Sequence, residues 1–298
     1  MTKQLASLLL LSSISTTAFA DCQSSEVSVQ VLGSGGPELG DGRASASYLI
    51  WHKERATILI DAGGGSSLNF EKAGARVADL QLVLFTHLHV DHSADWPVYV
   101  KASFFEDRDR DLPVLGPKGN NLLASTVDFH QATLQHAWPY LSSYIDPEAR
   151  SEYKLKPVNV TTGRSIWQQQ YDNLSISAID VNHGPLPAIA WRIDIGDCSI
   201  TFSGDTSAVS DNLTRLTNRS DLLIAHNAIP QQASGVARRL HMPPSRIGEI
   251  AAAAGVGQLV LSHRMLRTLE TKEDTLEQIR QRYSGPVSFA NDLDRYQP

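Results

Sequence analysis

Residues 85–96 read FTHLHVDHSADW and carry His87, His89, Asp91 and His92 within six consecutive positions. Imidazole and carboxylate groups are ligands for zinc and related divalent metals, and four of them so close together can serve one ion or two. Three further candidates occupy comparable positions along the chain. His183 comes just after the apolar run 174–181, Asp205 after 199–202, and His263 directly after 258–262. Seven ligands exceed what one tetrahedral ion uses, and they suffice for two ions, each with three or four protein groups and a shared solvent molecule. Any single histidine here is explained as readily by a surface or hydrogen-bonded role. The joint pattern is what points to metal chemistry.

The elements that must position these groups are short. Apolar, β-rich runs at 27–32, 46–51, 57–60, 81–85, 174–181, 188–195 and 199–202 alternate with turn signals and predict strands. Three of them end in polar clusters, Asp61-Ala62-Gly63-Gly64-Gly65, residues 86–92, and Ser203-Gly204-Asp205-Thr206, which is how strands deliver functional loops to one edge of a sheet. The alanine-rich stretch 247–254 follows Pro243-Pro244 and stops at Gly255, a pattern that predicts a helix leading into a strand at 258–262. No internal repeat, low-complexity tract or linker divides the chain, so residues 21–298 are expected to form one domain.

The order of the motifs resembles the metallo-β-lactamase superfamily. H-x-H-x-D-H stands at His87 to His92, followed by a histidine in Asn182-His183-Gly184, an aspartate in Ser203-Gly204-Asp205-Thr206 and a histidine in Ser262-His263-Arg264. The likeness runs over about residues 27–290. It implies an α/β fold, the αββα four-layer sandwich, with the site at one edge. It also implies that His87, His89 and His183 hold one divalent ion, that Asp91, His92 and His263 hold the other, and that Asp205 bridges both. Zinc is the expected metal, with manganese or iron as alternatives.

Within that superfamily the chain is most similar to the ribonuclease Z and zinc-dependent arylsulfatase branch. Ile224-Ala225-His226 followed by Asn227-Ala228 looks like the branch's His-Glu-Ala motif, and residues 238–245, RRLHMPPS, resemble the His-Ser/Thr element that opens its next helix. Asn227 stands where the branch has glutamate. The 21 residues between His183 and Asp205 are too few for the long tRNA-gripping arm of short bacterial ribonuclease Z enzymes.

Composition adds a compartment and a charge argument. Lys3, an apolar core near residues 5–11 and Ala18-Phe19-Ala20 read as a secretory signal peptide over 1–20 with cleavage after Ala20, so the mature chain is expected in the periplasm or outside the cell, without a membrane anchor. Thiols in an oxidising compartment tend to pair, and Cys22 and Cys198 are expected to do so, two unpaired cysteines being the alternative. The formal charge of −6, from 26 basic and 32 acidic residues, lacks the basic footprint of a nucleic-acid protein. A small-molecule ester is therefore the expected substrate, with no nucleic-acid partner.

The chemistry that follows is hydrolysis, because paired divalent ions activate water and stabilise charge on a phosphoryl, sulfuryl or carbonyl oxygen. The sequence reading is an exported, dinuclear metal-dependent hydrolase of small phosphodiesters or sulfate esters. A lactonase or other acyl hydrolase is the alternative, and a non-catalytic metabolite-binding or carrier protein is the alternative of another class. Asp91 would orient the attacking hydroxide while His226, a free imidazole at a strand end, would protonate the leaving oxygen; otherwise His226 is structural. Asp61 reads as a structural support, Gly33-Ser34-Gly35-Gly36 as a tight turn beside the cleft, and His241 as a substrate contact or a helix anchor. Phe104, Phe105, His130, Trp138, Tyr140, Tyr144, Tyr153 and Trp167 form either a lid or satellite core.

Overall fold

Side chains alternate across a strand, so a strand covered on both faces divides its apolar residues between two cores. In β1 (Val27–Gly33), β3 (Arg55–Ile60) and β4 (Leu82–Leu84), residues Val29, Val31, Ile58, Ile60, Leu82 and Leu84 enter one core, whereas Leu32, Leu59 and Val83 enter another. This division runs through the computed structural model, which describes Cys22 and residues 26–298. The leader expected over 1–20 lies outside the described residues.

Two seven-stranded sheets result. Besides β1, β3 and β4, the strands of the first are β2 (Ser47–His52), β5 (Leu112–Pro117), β6 (Leu155–Val160) and β14 (Arg295–Tyr296), in the order β14-β1-β2-β3-β4-β5-β6. The second holds β7 (Trp167–Tyr171), β8 (Leu174–Asp180), β9 (Ile189–Ile195), β10 (Cys198–Phe202), β11 (Leu222–His226), β12 (Gln258–Ser262) and β13 (Val287–Phe289), in reverse numerical order from β13 to β7. Each sheet is antiparallel on one side and parallel on the other. β14-β1-β2-β3 and β7-β8-β9-β10 pair antiparallel; β3-β4-β5-β6 and β10-β11-β12-β13 pair parallel.

The inner core lies between the sheets and joins Tyr48, Ile50 and Ile60 of one to Trp191, Phe202 and Ile224 of the other. Outside the first sheet, α1 (Ser66–Lys72), α2 (Val90–Ser93), α3 (Trp96–Ala102) and α4 (Thr126–Gln131) accompany a second core containing Phe70, Trp96, Tyr99 and Val100. Outside the second sheet run α5 (Asn212–Leu216), α6 (Gly235–Leu240), α7 (Pro244–Ala254), α8 (Leu266–Leu269) and α9 (Lys272–Arg280), and a third core takes Leu213, Ile247, Ile250 and Ile279 from them. The architecture is the expected αββα sandwich. α7 starts on Pro244 and ends at Gly255 in the left-handed conformation, as its proline and glycine predict.

Cys22 and Cys198 form a disulfide with their Cα atoms 4.4 Å apart, joining the segment before β1 to the start of β10 across 176 residues. The interval between His183 and Asp205 is taken up by the β9–β10 hairpin, turned through Gly196 and Asp197. Of the aromatics, Tyr144 and Tyr153 are buried in the outer core of the first sheet and His130 packs there, whereas Phe104, Phe105 and Tyr140 surround the Lys101 ammonium on the surface. No helix among the described residues is long and apolar enough to cross a membrane.

Candidate metal centre

The carboxyl ends of β4, β10, β11 and β12 meet at one edge of the sandwich, where each parallel strand leaves its sheet and turns toward a helix. Phe85 to His89 follow β4, Ser203 to Asp205 follow β10, His226 closes β11, and His263 follows β12 with a positive φ of 51°. Gly204 has φ 56°, and a Cβ there would fall 2.9 Å from Thr86 Cβ, so the turn that delivers Asp205 requires glycine. Two hydrogen bonds cross between the sheets beside these loops. Ile189 N donates to Thr86 O at 2.9 Å and Trp191 Nε1 donates to Phe85 O at 3.0 Å.

Asp205 lies at the centre. Its carboxylate oxygens are 2.8 Å from His226 Nδ1, 3.4 Å from His263 Nε2, 3.7 Å from His241 Nδ1, 3.8 Å from His92 Nε2, and 3.9 Å from both His87 Nε2 and His183 Nε2. His89 joins through its Nδ1, 3.4 Å from His183 Nε2. Asp91 sits at the rim, its Oδ2 3.1 Å from His263 Nε2 and 3.5 Å from His92 Nε2. All seven residues singled out by the sequence therefore come together. Among the described residues, ligand atoms within 4.8 Å of one another fall into three groups: His87, His89 and His183; His92, Asp205, His226 and His263; and His183, Asp205 and His241.

The donor set fits divalent metal. Buried polar atoms normally find partners, yet Nε2 of His87 and of His92 has none. Their opposite nitrogens are held from outside: His92 Nδ1 lies 2.8 Å from Asp61 Oδ2, His87 Nδ1 3.1 Å from Thr86 Oγ1, and His183 Nδ1 3.0 Å from Leu240 O. Such outer partners fix the tautomer and aim the free nitrogen of a metal-binding imidazole. Asp61 is the support the sequence suggests, and it does more than cap a turn. Fully buried at φ 54°, it accepts from Thr86 N and Thr86 Oγ1 as well as facing His92. The turn at Gly33 to Gly36 abuts the cluster, since a Cβ on Gly36 would meet His263 Cε1 at 2.9 Å.

Electrostatics follow from burial set against charge. Burial would raise Asp205, but His263, His241, His226 and His92 together hold its carboxyl well below the usual range. Asp91 is lowered in the same way by His92 and His263 against its own burial. Burial drives His87 down, with His92 adding to it, whereas His92 overcomes its burial and is pushed up to about 9 by Asp91 and Asp61. His263 is raised against burial by Asp205 and Asp91. Protons and metal thus compete for the same nitrogens.

His226 is not the free imidazole that the sequence suggests. It is 1% exposed, its Nδ1 faces Asp205, and its Nε2 lies 3.0 Å from the Tyr48 hydroxyl, which in turn reaches Ser262 Oγ at 2.9 Å. Burial lowers it to about 4. With both nitrogens engaged it can hold Asp205 in place, but it has none to offer a leaving group. Burial lowers His241 to about 4 as well, but its contacts differ: its Nδ1 has no hydrogen-bond partner and faces the Asp205 carboxylate from the end of α6. Sequence reasoning passed over Tyr48, Thr86 and Ser262. Thr86 adjoins the histidine motif, but nothing in the apolar run around Tyr48 marks it.

Residues 56–264 match the family described as the beta-lactamase superfamily domain. The chain belongs to the beta-lactamase superfamily. It is a metal-dependent hydrolase of the metallo-β-lactamase fold, with a His/Asp cluster able to hold divalent metal. A protein named Ribonuclease Z from Mycobacterium avium is 28% identical over 287 residues, covering 91% of this chain and 98% of that protein. Among solved structures, the metallo-beta-lactamase fold protein YhfI from Bacillus subtilis aligns with a TM-score of 0.73 at 20% identity, over 91% of this chain and 99% of its own. Human tRNase Z, short form, aligns with a TM-score of 0.70 at 17% identity, over 91% and 98%.

The ribonuclease relatives overturn two expectations from the sequence, the small phosphate or sulfate ester substrate and the absence of a nucleic-acid partner. The physical reason lies in how charge was counted. Net charge sums the whole surface and is silent on where the arginines sit.

Proposed function

We propose that the chain is an exported metal-dependent ribonuclease that hydrolyses phosphodiester bonds in RNA. One observation carries the reading: a buried carboxylate, Asp205, with six imidazole nitrogens within 4 Å, three of them, on His87, His92 and His241, without a hydrogen-bond partner. The relatives named Ribonuclease Z support RNA as the substrate.

His87, His89 and His183 would hold one divalent ion, Asp91, His92 and His263 the other, with Asp205 between them. The imidazole-rich donor set favours zinc. When bound, such ions supply Lewis-acid stabilisation of phosphoryl charge and lower the pKa of water. The chain's own residues then orient and move protons. Asp91, at 6% exposure the more open of the two central carboxylates, orients the attacking water. His241, with its unpartnered Nδ1 beside Asp205, is the imidazole placed to pass a proton to the departing ribose oxygen, although burial lowers it to about 4 and keeps its protonated form scarce at neutral pH. His226 works at one remove, keeping Asp205 aligned while Tyr48 and Ser262 hold His226.

Export is supported by the Cys22–Cys198 disulfide, because such bonds persist in oxidising compartments. Sequencing the N-terminus of the protein recovered outside the cytoplasm tests this; Asp21 as first residue supports it, and retention in the cytoplasm with Met1 in place overturns it.

The activity test compares wild type and Asp205→Asn on a labelled RNA hairpin with a single-stranded 3′ tail. Zinc- or manganese-dependent cleavage, abolished by chelation and at least about 10³-fold slower in the variant, is expected, because metal stabilisation is worth several kcal/mol. A protein carrying its full metal complement that leaves every RNA intact overturns the reading.

A further inference from the structure

None of the six residues of α6 is fully buried; Ala237 and Leu240 are half-buried and the other four are exposed. The helix stands against the metal centre: Leu240 O faces His183 Nδ1 at 3.0 Å, and His241 follows directly. Arg238 and Arg239, in its last turn, are exposed and have no hydrogen bond or ion pair among the described residues. They line a cleft of about 680 Å³ together with Arg246, Asn182, Gly184 and Ser207. Asn182 and Gly184 flank His183 on either side, and Ser207 comes two residues after Asp205, so the cleft opens beside the metal centre. Arg246 is fixed there, its Nε donating to Ala208 O at 3.0 Å and its second nitrogen to Ser210 O at 3.3 Å, while Glu249 at 3.2 Å takes part of its charge. No carboxylate lines the cleft.

Three guanidinium groups, two of them unpaired, form an anion site with the planar donors that suit phosphate. We infer that this cleft grips a backbone phosphate of the RNA strand next to the scissile bond, with Arg238 and Arg239 as its positioning residues; the inference rests on the ribonuclease reading. It supplies locally the positive charge that the chain lacks overall. It also supplies a grip in a molecule whose interval from His183 to Asp205 is folded as a tight hairpin.

The test uses the full-length chain with metal removed by chelation, and reads the anisotropy of a fluorescein-labelled single-stranded RNA across a potassium chloride series. Arg238→Gln/Arg239→Gln should weaken binding at least tenfold at low salt and flatten the log–log salt slope by about 0.7 for each phosphate left without its guanidinium. With metal restored, KM for RNA should rise while kcat stays within about twofold. Arg76→Gln/Arg150→Gln, at two exposed arginines outside the cleft, controls for bulk charge. Equal weakening in both double variants, or unchanged affinity and slope in the α6 variant, overturns the phosphate cleft even where wild type cuts RNA. Loss of binding confined to the α6 variant, in a protein that cuts no RNA when loaded with metal, supports the cleft and overturns the ribonuclease reading instead.

Discussion

His92 and His130 are both completely buried, yet their surroundings drive them in opposite directions. His130 sits among the rings of Phe85, Trp96 and Phe129, with Nδ1 2.7 Å from Thr126 O and nothing on Nε2. Burial pushes it down to about 4, and the Thr126 carbonyl offsets only part of that. At His92 the same burial is outweighed by Asp91 and Asp61, and the imidazole rises to about 9. A buried histidine alone says little about function; the carboxylates around it decide whether it is packing or chemistry. Each environment also leaves an Nε2 without a hydrogen-bond partner. At His92 that nitrogen lies 3.5 Å from Asp91 and 3.8 Å from Asp205, whereas His130 packs against the rings of Phe85, Trp96 and Phe129 and makes no ion pair among the described residues.

The contrast breaks most readily at Asp61, which separates the two cases at His92 Nδ1. Asp61→Asn should weaken zinc affinity about 10- to 100-fold, the usual cost of losing an outer partner of a metal-binding imidazole. Chelator competition measures it, and an affinity within twofold of wild type would show that Asp61 only braces the turn.

His130 gives the smaller effect, and its sign is opposite to that of a paired histidine. Its folded pKa of about 4 lies below the unfolded value of about 6.5, so the unfolded chain takes up a proton that the folded chain refuses. Its contribution is intact above pH 6.5 and is lost as pH falls toward 4, to a total of about 3 kcal/mol. Urea unfolding of the metal-free protein at pH 6.5 and 4.5 should show a steeper acid loss for wild type than for His130→Phe. Parallel losses would remove His130 from the account.

This contrast also separates what was legible in the sequence from what was not. The candidate ligand positions stood out because each lies in a polar cluster directly after an apolar strand, and their convergence needed only that parallel strands end at one edge. Tyr48 was hidden, since it occupies an inward position of β2 that reads as core and meets His226 only across the sheet interface, 178 residues away. His226 was misread for the same reason: its partners come from β2 and from the loop after β10, and no local pattern reveals them. Strands β5 and β6 escaped notice because Pro113, Gly116 and Pro117 interrupt one and Pro157 the other. β7, with the sequence WQQQY, is an exposed edge strand without apolar alternation. A whole-chain charge of −6 also conceals where charge is placed, as with the three arginines lining one cleft beside His183.

Whether the cluster around Asp205 holds two metal ions is decided by elemental analysis of the purified chain. After zinc incubation and removal of free metal, wild type should hold close to two zinc ions per chain, and Asp205→Asn should lose occupancy at both positions, because its carboxylate lies between the two ligand sets. A wild-type ratio that stays near zero, or an Asp205→Asn variant that still holds two, would rule out a two-metal centre built around Asp205.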